Sequence, residues 1–413
     1  SSLWLQQPQV LLAGCAWICT RTLRTASWKG RTTFAENMGC VLTSPVEIIR
    51  VQRRGSTSFR CAVAEMQGWR TSHEDAHEMQ CDASSGAFWV LDGHAGDGAA
   101  LYSAPELGTT FAASGWRDTG ELPSNQCVEA GFESVDSRLR AYCQSNPEKE
   151  SGSTVVGALV GRQTDGTYSV KLLNCGDSRG LIIRGPQEEE DATELPVRLP
   201  THLEALKANQ EGQGAGDANS EHRWPLVAET VDHKPSHPTE MARIEAAGGH
   251  VSQEDPPRLD GNLAVSRGLG DFEYKSDSNL PVSEQKVSCV PDIYEVTGLQ
   301  PGSICVLGCD GIWDVMTSHA VATHVRDKLC NNSGADLGDL AADLIRDSLH
   351  RNSRDNITVM IVQFVDGSDW AGEMDEIKNY EKLGDMDMDD EVRKQYNGFL
   401  KKAKFQSEPC PCA

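Results

Sequence analysis

Phe88-Trp89-Val90-Leu91-Asp92-Gly93-His94 is a run of apolar residues stopped by an aspartate, and the same pattern recurs far along the chain. Val170 to Asn174 leads into Cys175-Gly176-Asp177, and Ile304 to Leu307 leads into Gly308-Cys309-Asp310-Gly311. Arg354-Asp355-Asn356 is the mirror case, with the acid just ahead of the strand-like Ile357 to Val362. Short apolar runs bounded by turn residues read as buried strands, so the fold delivers several carboxylates to one edge of a sheet. One Asp-Gly step is explained by a turn. Four acids at strand ends are not, because two carboxylates ~4 Å apart repel by about 4 kcal/mol at an effective dielectric of 20. Protonating one acid or binding divalent cations relieves that repulsion, and oxygen ligands favour a hard ion such as Mg²⁺ or Mn²⁺.

Outward from these runs, Phe59, Cys61 and Val63 alternate with small or polar neighbours, as in a strand. Gly98 to Leu107 reads as a helix, and Val128, Phe132, Val135, Leu139 and Tyr142 share a second helix's face. Thr154 to Val160 and Tyr168 to Leu173 form a strand pair around Thr164-Asp165-Gly166. Further helices are expected over Thr239 to Ala247, stopped by Gly248, and over Leu337 to Leu349. Asp232-His233-Lys234 reads as a connection into the Thr239 helix.

At 413 residues with a net charge of −23, the chain fits one catalytic domain with additions, and it lacks the basic surface of a sequence-independent nucleic-acid binder. We expect an N-terminal extension over 1–56, a catalytic domain over 57–365 with an acidic, Gly-rich mobile insertion at 186–230, and an acidic C-terminal extension over 366–413 carrying one or two surface helices. The 14 cysteines include no C-x-x-C pair, and several lie inside apolar runs, which suits a reducing compartment, cytoplasmic or nuclear. Residues 1–35 are free of acids and loosely transit-peptide-like. Met38-Gly39-Cys40-Val41-Leu42-Thr43 also matches the acylation pattern, so membrane association through Gly39 and Cys40 is the alternative if Gly39 becomes an N-terminus. A monomer is expected.

His73-Glu74-Asp75-Ala76-His77 matches the zinc-protease motif H-E-x-x-H. Zinc binding there needs a helix with an apolar back, which Gly68-Trp69-Arg70-Thr71-Ser72 does not provide, so a coincidental match is favoured.

Ten ordered blocks resemble the type 2C family of metal-dependent protein phosphatases across about residues 57 to 365. They are Gly68-Trp69-Arg70, Glu74-Asp75-Ala76-His77, Asp92-Gly93-His94-Ala95-Gly96, Ser151-Gly152-Ser153-Thr154 and Asn174-Cys175-Gly176-Asp177-Ser178-Arg179, then Asp232-His233-Lys234-Pro235, Leu263-Ala264-Val265-Ser266-Arg267, Gly270-Asp271-Phe272, Cys309-Asp310-Gly311-Ile312-Trp313-Asp314 and Arg354-Asp355-Asn356. The resemblance implies an α+β fold, a four-layer α-β-β-α sandwich of two central antiparallel sheets flanked by helices, in agreement with the strand-rich middle of the chain. It implies two Mn²⁺ or Mg²⁺ ions. Asp92 would bridge them, Asp310 and Asp355 would complete the first, and the Gly93 carbonyl and Glu74 would serve the second. Asp75 would stand just behind, and Asp177 with Asp310 and Asp314 resembles a weaker third-metal site.

The implied reaction is hydrolysis of phosphoserine and phosphothreonine in protein substrates. Water shared by two divalent ions loses its proton near neutral pH and attacks phosphorus in line. His94 is the expected general acid, Arg70 the phosphate grip, and Asp271 a supporting residue rather than a ligand. A scaffold of the same fold without full activity is the competing function, but it would be expected to lack one of Asp92, Asp310 and Asp355. His73 and Gly268 depart from the family pattern without removing a ligand. Val251 to Arg258, expected as a flap beside the site, and the 186–230 insertion are individual to this chain and are candidates for substrate choice. Trp89 and Trp313 are expected in the core.

Overall fold

Each strand of the chain's apolar runs is buried on both faces, and this explains why the runs are continuous rather than alternating. In Ile357–Phe364, the residues Ile357, Val359 and Ile361 face one core, while Met360, Val362 and Phe364 face another. Ser85–Leu91 divides the same way, with Trp89 and Leu91 on one side and Phe88 and Val90 on the other. Two stacked sheets with helices outside them follow from that double burial.

The computed structural model describes residues 41–112, 116, 121–190, 193–205, 224–366, 372–379 and 390–402, all within one compact unit. One sheet has six strands in the order Val197–Arg198, Asp292–Leu299, Tyr168–Cys175, Val155–Arg162, Ser85–Leu91 and Ala76–Cys81. The other has seven: Leu226–Glu229, Arg179–Ile183, Ile304–Gly308, Ile357–Phe364, Phe59–Met66, Ile49–Gly55 and Gly372–Lys378. Every pairing within both is antiparallel. The inter-sheet core is pinned by aromatic contacts, with Phe59 edge-on to Phe88 at 5.8 Å and Tyr168 stacked on Phe364 at 5.0 Å.

Helices Gly98–Ala112 and Asn125–Ser145 cover the six-stranded sheet. The second buries Val128, Phe132, Val135 and Leu139, the face its sequence spacing predicts, and Ser124 caps it by accepting from Cys127 N. Helices Ser318–Asn331 and Leu337–His350 cover the seven-stranded sheet. The Pro238–Ala246 helix ends where expected, with Gly248 at φ +77°. The sandwich is thus the four-layer arrangement anticipated, and Trp89 and Trp313 are buried in its cores.

Three boundaries differ from expectation. The cut at residue 57 divides a strand pair, because Ile49–Gly55 is hydrogen-bonded along Phe59–Met66. The cut at 365 excludes Gly372–Lys378, which lies at the edge of the same sheet against Ile49–Gly55, and the helix Asp390–Lys402. Strands at or next to a sheet edge, such as these, alternate Arg and Gln or Glu and Asp with their inward residues, so their polar faces hide them in a composition scan. The insertion at 186–230 is structured at both ends: Val197–Arg198 and Leu226–Glu229 each extend a sheet, and Thr201 to Ala205 is helical. Residues 206–223 of the insertion, the acylation pattern at Gly39 and Cys40, and the acidic run Asp385 to Asp389 lie outside the described residues. No helix among the described residues is long and apolar enough to cross a membrane.

Candidate functional site

Asp92 leaves the strand Ser85–Leu91 at the rim of the sandwich, where its carbonyl accepts from Thr154 N at 2.9 Å. The chain then enters a small three-stranded sheet in which Gly93–His94 pairs with Gly152–Ser153, and that pairs with Leu269–Gly270. This places His94 beside Asp271, with Nε2 2.8 Å from Oδ2. Asp271 holds a left-handed backbone, φ +51°. Gly152 is required between them, because a Cβ there would lie 2.1 Å from His94 Nε2 and 2.2 Å from Asp271 Oδ2. Burial lowers the pKa of His94, yet the Asp271 carboxylate outweighs it and the imidazole is raised above its ordinary value.

From the opposite sheet, Ile304–Gly308 delivers Asp310 and Asp314, and Asp355 precedes Ile357–Phe364. Gly68-Trp69-Arg70 lies across the last of these. Gly68, at φ +64°, approaches so closely that a Cβ would sit 2.5 Å from the Asp355 carbonyl oxygen, and Arg70 Nη2 donates to Asp355 Oδ2. Asn356 staples the turn that follows: its Nδ2 donates to the carbonyls of Gln67 and Ser72 at 2.8 and 2.9 Å, and its Oδ1 accepts from Glu74 N at 2.9 Å. Glu74 is held in turn by Ser72 Oγ at 2.6 Å and Gly96 N at 3.0 Å. Asp75 is buried, accepting from Thr358 Oγ1 at 2.6 Å.

The acids of this rim act on one another. Burial first, and then Asp310, Asp75 and Asp355, push Asp92 well above the usual carboxylate range. Burial and Asp177 do the same to Asp310, and burial raises Asp75 to about 7. Two ion pairs reach this group among the described residues: Arg70 on Asp355, and Lys234 on Asp177. The sequence makes Lys234 part of a connection. That connection does lead to the Pro238 helix, but it also ties Lys234 to Asp177 and pairs Asp232 with Arg179 through two 2.9 Å contacts.

Whether the donors suit a hard divalent ion is testable on the oxygens themselves. Asp310 Oδ1 and Asp75 Oδ1 are buried without any hydrogen-bond partner, a costly state that a cation would relieve. Atoms of Asp75, Asp92 and Cys309 lie within 4.8 Å of one another. The Cys309 sulfur, however, already accepts from Thr358 N at 3.1 Å, and burial holds its thiol protonated, so oxygen is the donor type available. The residues fit Mn²⁺ or Mg²⁺. Asp75, expected just behind the ligands, lies close to Asp92.

The zinc-protease motif is not formed. His73 to Asp75 are not helical and Ala76–Cys81 is a strand. Both ring nitrogens of His77 are engaged, Nδ1 with Glu65 at 2.6 Å and Nε2 with Gln52 at 2.5 Å. Val251 to Arg258 forms a loop closed by a Val251–Leu259 bridge over the Ile244, Leu259 and Val287 cluster. Asn356 and Lys234 are the site residues that the sequence reading left without a role. Their neighbours Asp355 and His233 carried the visible pattern, and nothing in the local sequence shows contacts made 282 and 57 positions away.

Residues 59–197 and 216–357 match the family described as Protein phosphatase 2C. Human protein phosphatase 1A is 32% identical over 341 residues, covering 79% of this chain and 76% of that protein. Bovine protein phosphatase 1B is 30% identical over 343 residues, and there the match spans 79% of this chain but only 61% of the relative. Among solved structures, a phosphatase of Toxoplasma gondii superimposes with a TM-score of 0.62 at 24% identity, over 80% of this chain and 99% of that one. A serine-threonine phosphatase 2C of the same organism gives 0.55 at 20% identity, over 79% and 100%. These two likenesses establish the shared fold.

Proposed function

The chain belongs to the protein phosphatase 2C family, and on that premise we propose that it hydrolyses phosphoserine and phosphothreonine in protein substrates with two Mn²⁺ or Mg²⁺ ions at the Asp92 rim. Asp92 would hold both ions, Asp310 and Asp355 the first, and the Gly93 carbonyl with Glu74 the second, with Asp75 beside Asp92 and the Asp177, Asp310 and Asp314 group taking a weaker third. When bound, such ions supply a water acidic enough to attack phosphorus near neutral pH.

The chain's own residues do the rest. Arg70 uses one N–H on Asp355 and keeps the other arms of its guanidinium for two phosphate oxygens. His94 enters as imidazolium, favoured by Asp271. Its Nε2–H stays on Asp271 while Nδ1–H protonates the departing serine or threonine oxygen, so the ring does not rotate during transfer. Asn356 and Gly68 act through others, by fixing Glu74 and Arg70.

The observation that carries this reading is the gathering of Asp75, Asp92, Asp310 and Asp355 at one rim with two oxygens unpartnered. Release of phosphate from a phosphothreonine peptide in Mn²⁺ tests it. Asp92→Asn is expected to lower kcat/KM by at least ~100-fold. Equal rates for the variant and the unaltered chain, or no release by either, would sink the proposal.

A further inference from the structure

The helix Asp390–Lys402 lies outside the segments that match the family, and no step above uses it. Its apolar residues Val392, Tyr396 and Phe399 fall at i, i+4 and i+7, on one stripe. All three are buried, against Leu42, Val46 and Ile48. Tyr396 is tied by polar contacts as well: its hydroxyl accepts from Glu47 N at 3.0 Å and donates to the Pro45 carbonyl at 3.3 Å.

What the helix covers matters for the reaction. Among the described residues the strand Val41–Val46 pairs only with Gly68–Arg70, with Val41 opposite Arg70 and Val46 opposite Gly68, and the register is broken between those points. A two-stranded ribbon is marginal in water without a packed face. Here the helix is that face. It also touches the chain on either side of Arg70. Gln67 Nε2 donates to Gln395 Oε1 at 3.3 Å and to the Arg70 carbonyl at 2.9 Å, and the His73 ring lies 5.1 Å from Phe399.

We propose that the Asp390–Lys402 helix is a positioning element for the phosphate grip, ordering the Val41–Val46 and Gly68–Arg70 ribbon so that Arg70 faces the acid rim. The inference rests on the reading of Arg70 given above. Residues 390–402 thereby make a C-terminal segment, remote in sequence, part of substrate binding. Loss of the helix contact leaves Asp92, Asp310 and Asp355 in place, because those are carried by the central strands, and Glu74 stays tied to Asn356 and Gly96.

The test uses the full chain carrying Tyr396→Ala, which removes the ring and both hydroxyl contacts, and Tyr396→Phe, which restores the ring. Tyr396→Ala is expected to raise KM for a phosphothreonine peptide, and the inhibition constant of inorganic phosphate, by about 10-fold with a small change in kcat, the pattern of lost ground-state and transition-state binding together. Tyr396→Phe should recover most of that loss. Mn²⁺ binding by calorimetry should be unchanged. Arg70→Ala should cost much less in the Tyr396→Ala background than alone, since neighbours acting through one group are non-additive. Unchanged KM and phosphate inhibition in Tyr396→Ala, or an Arg70→Ala effect equal in both backgrounds, would overturn the proposal. So would a loss confined to kcat or to folded yield, with Tyr396→Phe no better. An unaltered chain inactive in Mn²⁺ would instead overturn the catalytic reading.

Discussion

Two clusters of acids in this molecule behave in opposite ways. Around Asp92, six carboxylates (Asp75, Asp92, Asp177, Asp310, Asp314 and Asp355) face Arg70 and Lys234, and Asp75, Asp92, Asp310 and Asp314 are all raised. Around Glu240, two carboxylates face two arginines. Arg267 reaches Glu240 and Asp292 at 2.8 Å each, Arg243 reaches Glu240 at 2.7 Å, and Ser266 Oγ donates to Glu240 at 2.7 Å. There burial opposes ionisation too, but Arg267 and Arg243 outweigh it at Glu240, and the His233 contact followed by Arg267 outweighs it at Asp292, so both acids fall below the usual range, Asp292 to about 2. The residue types are the same. Whether the chain supplies its own counter-cations decides which group is finished as folded and which is left short of positive charge.

The largest effect should come from breaking the matched group. Arg267→Met leaves Glu240 and Asp292 buried with a shared partner gone. Removing one side of a buried pair destabilises by ~3–5 kcal/mol, and urea unfolding should show it. A loss under about 1 kcal/mol would mean that Arg243 and His233 compensate, erasing the contrast between the two groups.

Acid should find the same group next. His233, buried and lowered in pKa chiefly by burial and then by Arg267, is neutral in the fold and lies 3.2 Å from Asp292. In the unfolded chain His233 takes up a proton below pH ~6.5, and Asp292 and Glu240 do so below about 4. At each stage the unfolded state binds more protons, so stability falls as pH falls. The stability that Asp292 contributes is present above its unfolded pKa and lost towards its folded value near 2, a span worth about 2 kcal/mol. Urea midpoints measured in Mn²⁺-free buffer from pH 7 to pH 3 should therefore decline in the unaltered chain, and decline less in Asp292→Asn. Parallel curves would remove Asp292 from the account.

These pairings also mark how far the sequence could be read. The acids at Asp92, Asp310 and Asp355 were visible because each terminates or precedes an apolar run, and a buried strand has to end near the surface. The helix faces were visible for the same periodic reason, as Val128 to Leu139 shows. Arg267 with Glu240, Asn356 with Glu74, and His94 with Asp271 were not, since each pairing joins residues of ordinary local character across 27, 282 and 177 positions. The stripe Val392, Tyr396 and Phe399 was present in the sequence but read as a surface helix. Its partner is Val41–Val46, a strand whose own alternation is interrupted by Ser44 and Pro45, so neither half shows the other.

The finest test of the contrast lies at Lys234, the ammonium that the acid rim does supply for itself. It sits on Asp177, and its pKa is raised: burial lowers it, but Asp177, and after it Asp310 and Asp314, more than offset that. Lys234→Met removes one positive charge and leaves the carboxylates in place. If the rim is short of cations, it should then draw Mn²⁺ more strongly, above all at the weaker Asp177, Asp310 and Asp314 site, where the ammonium competes for Asp177. The side chain of Lys234 is 40% exposed, so solvent screens much of its charge and the gain should be modest, roughly 3–10-fold in the weaker Mn²⁺ dissociation constant by calorimetry. Weaker Mn²⁺ binding in Lys234→Met would show the opposite: that the ammonium holds Asp177 in place for the ion, and that the rim, like the Glu240 group, carries a counter-cation it cannot do without.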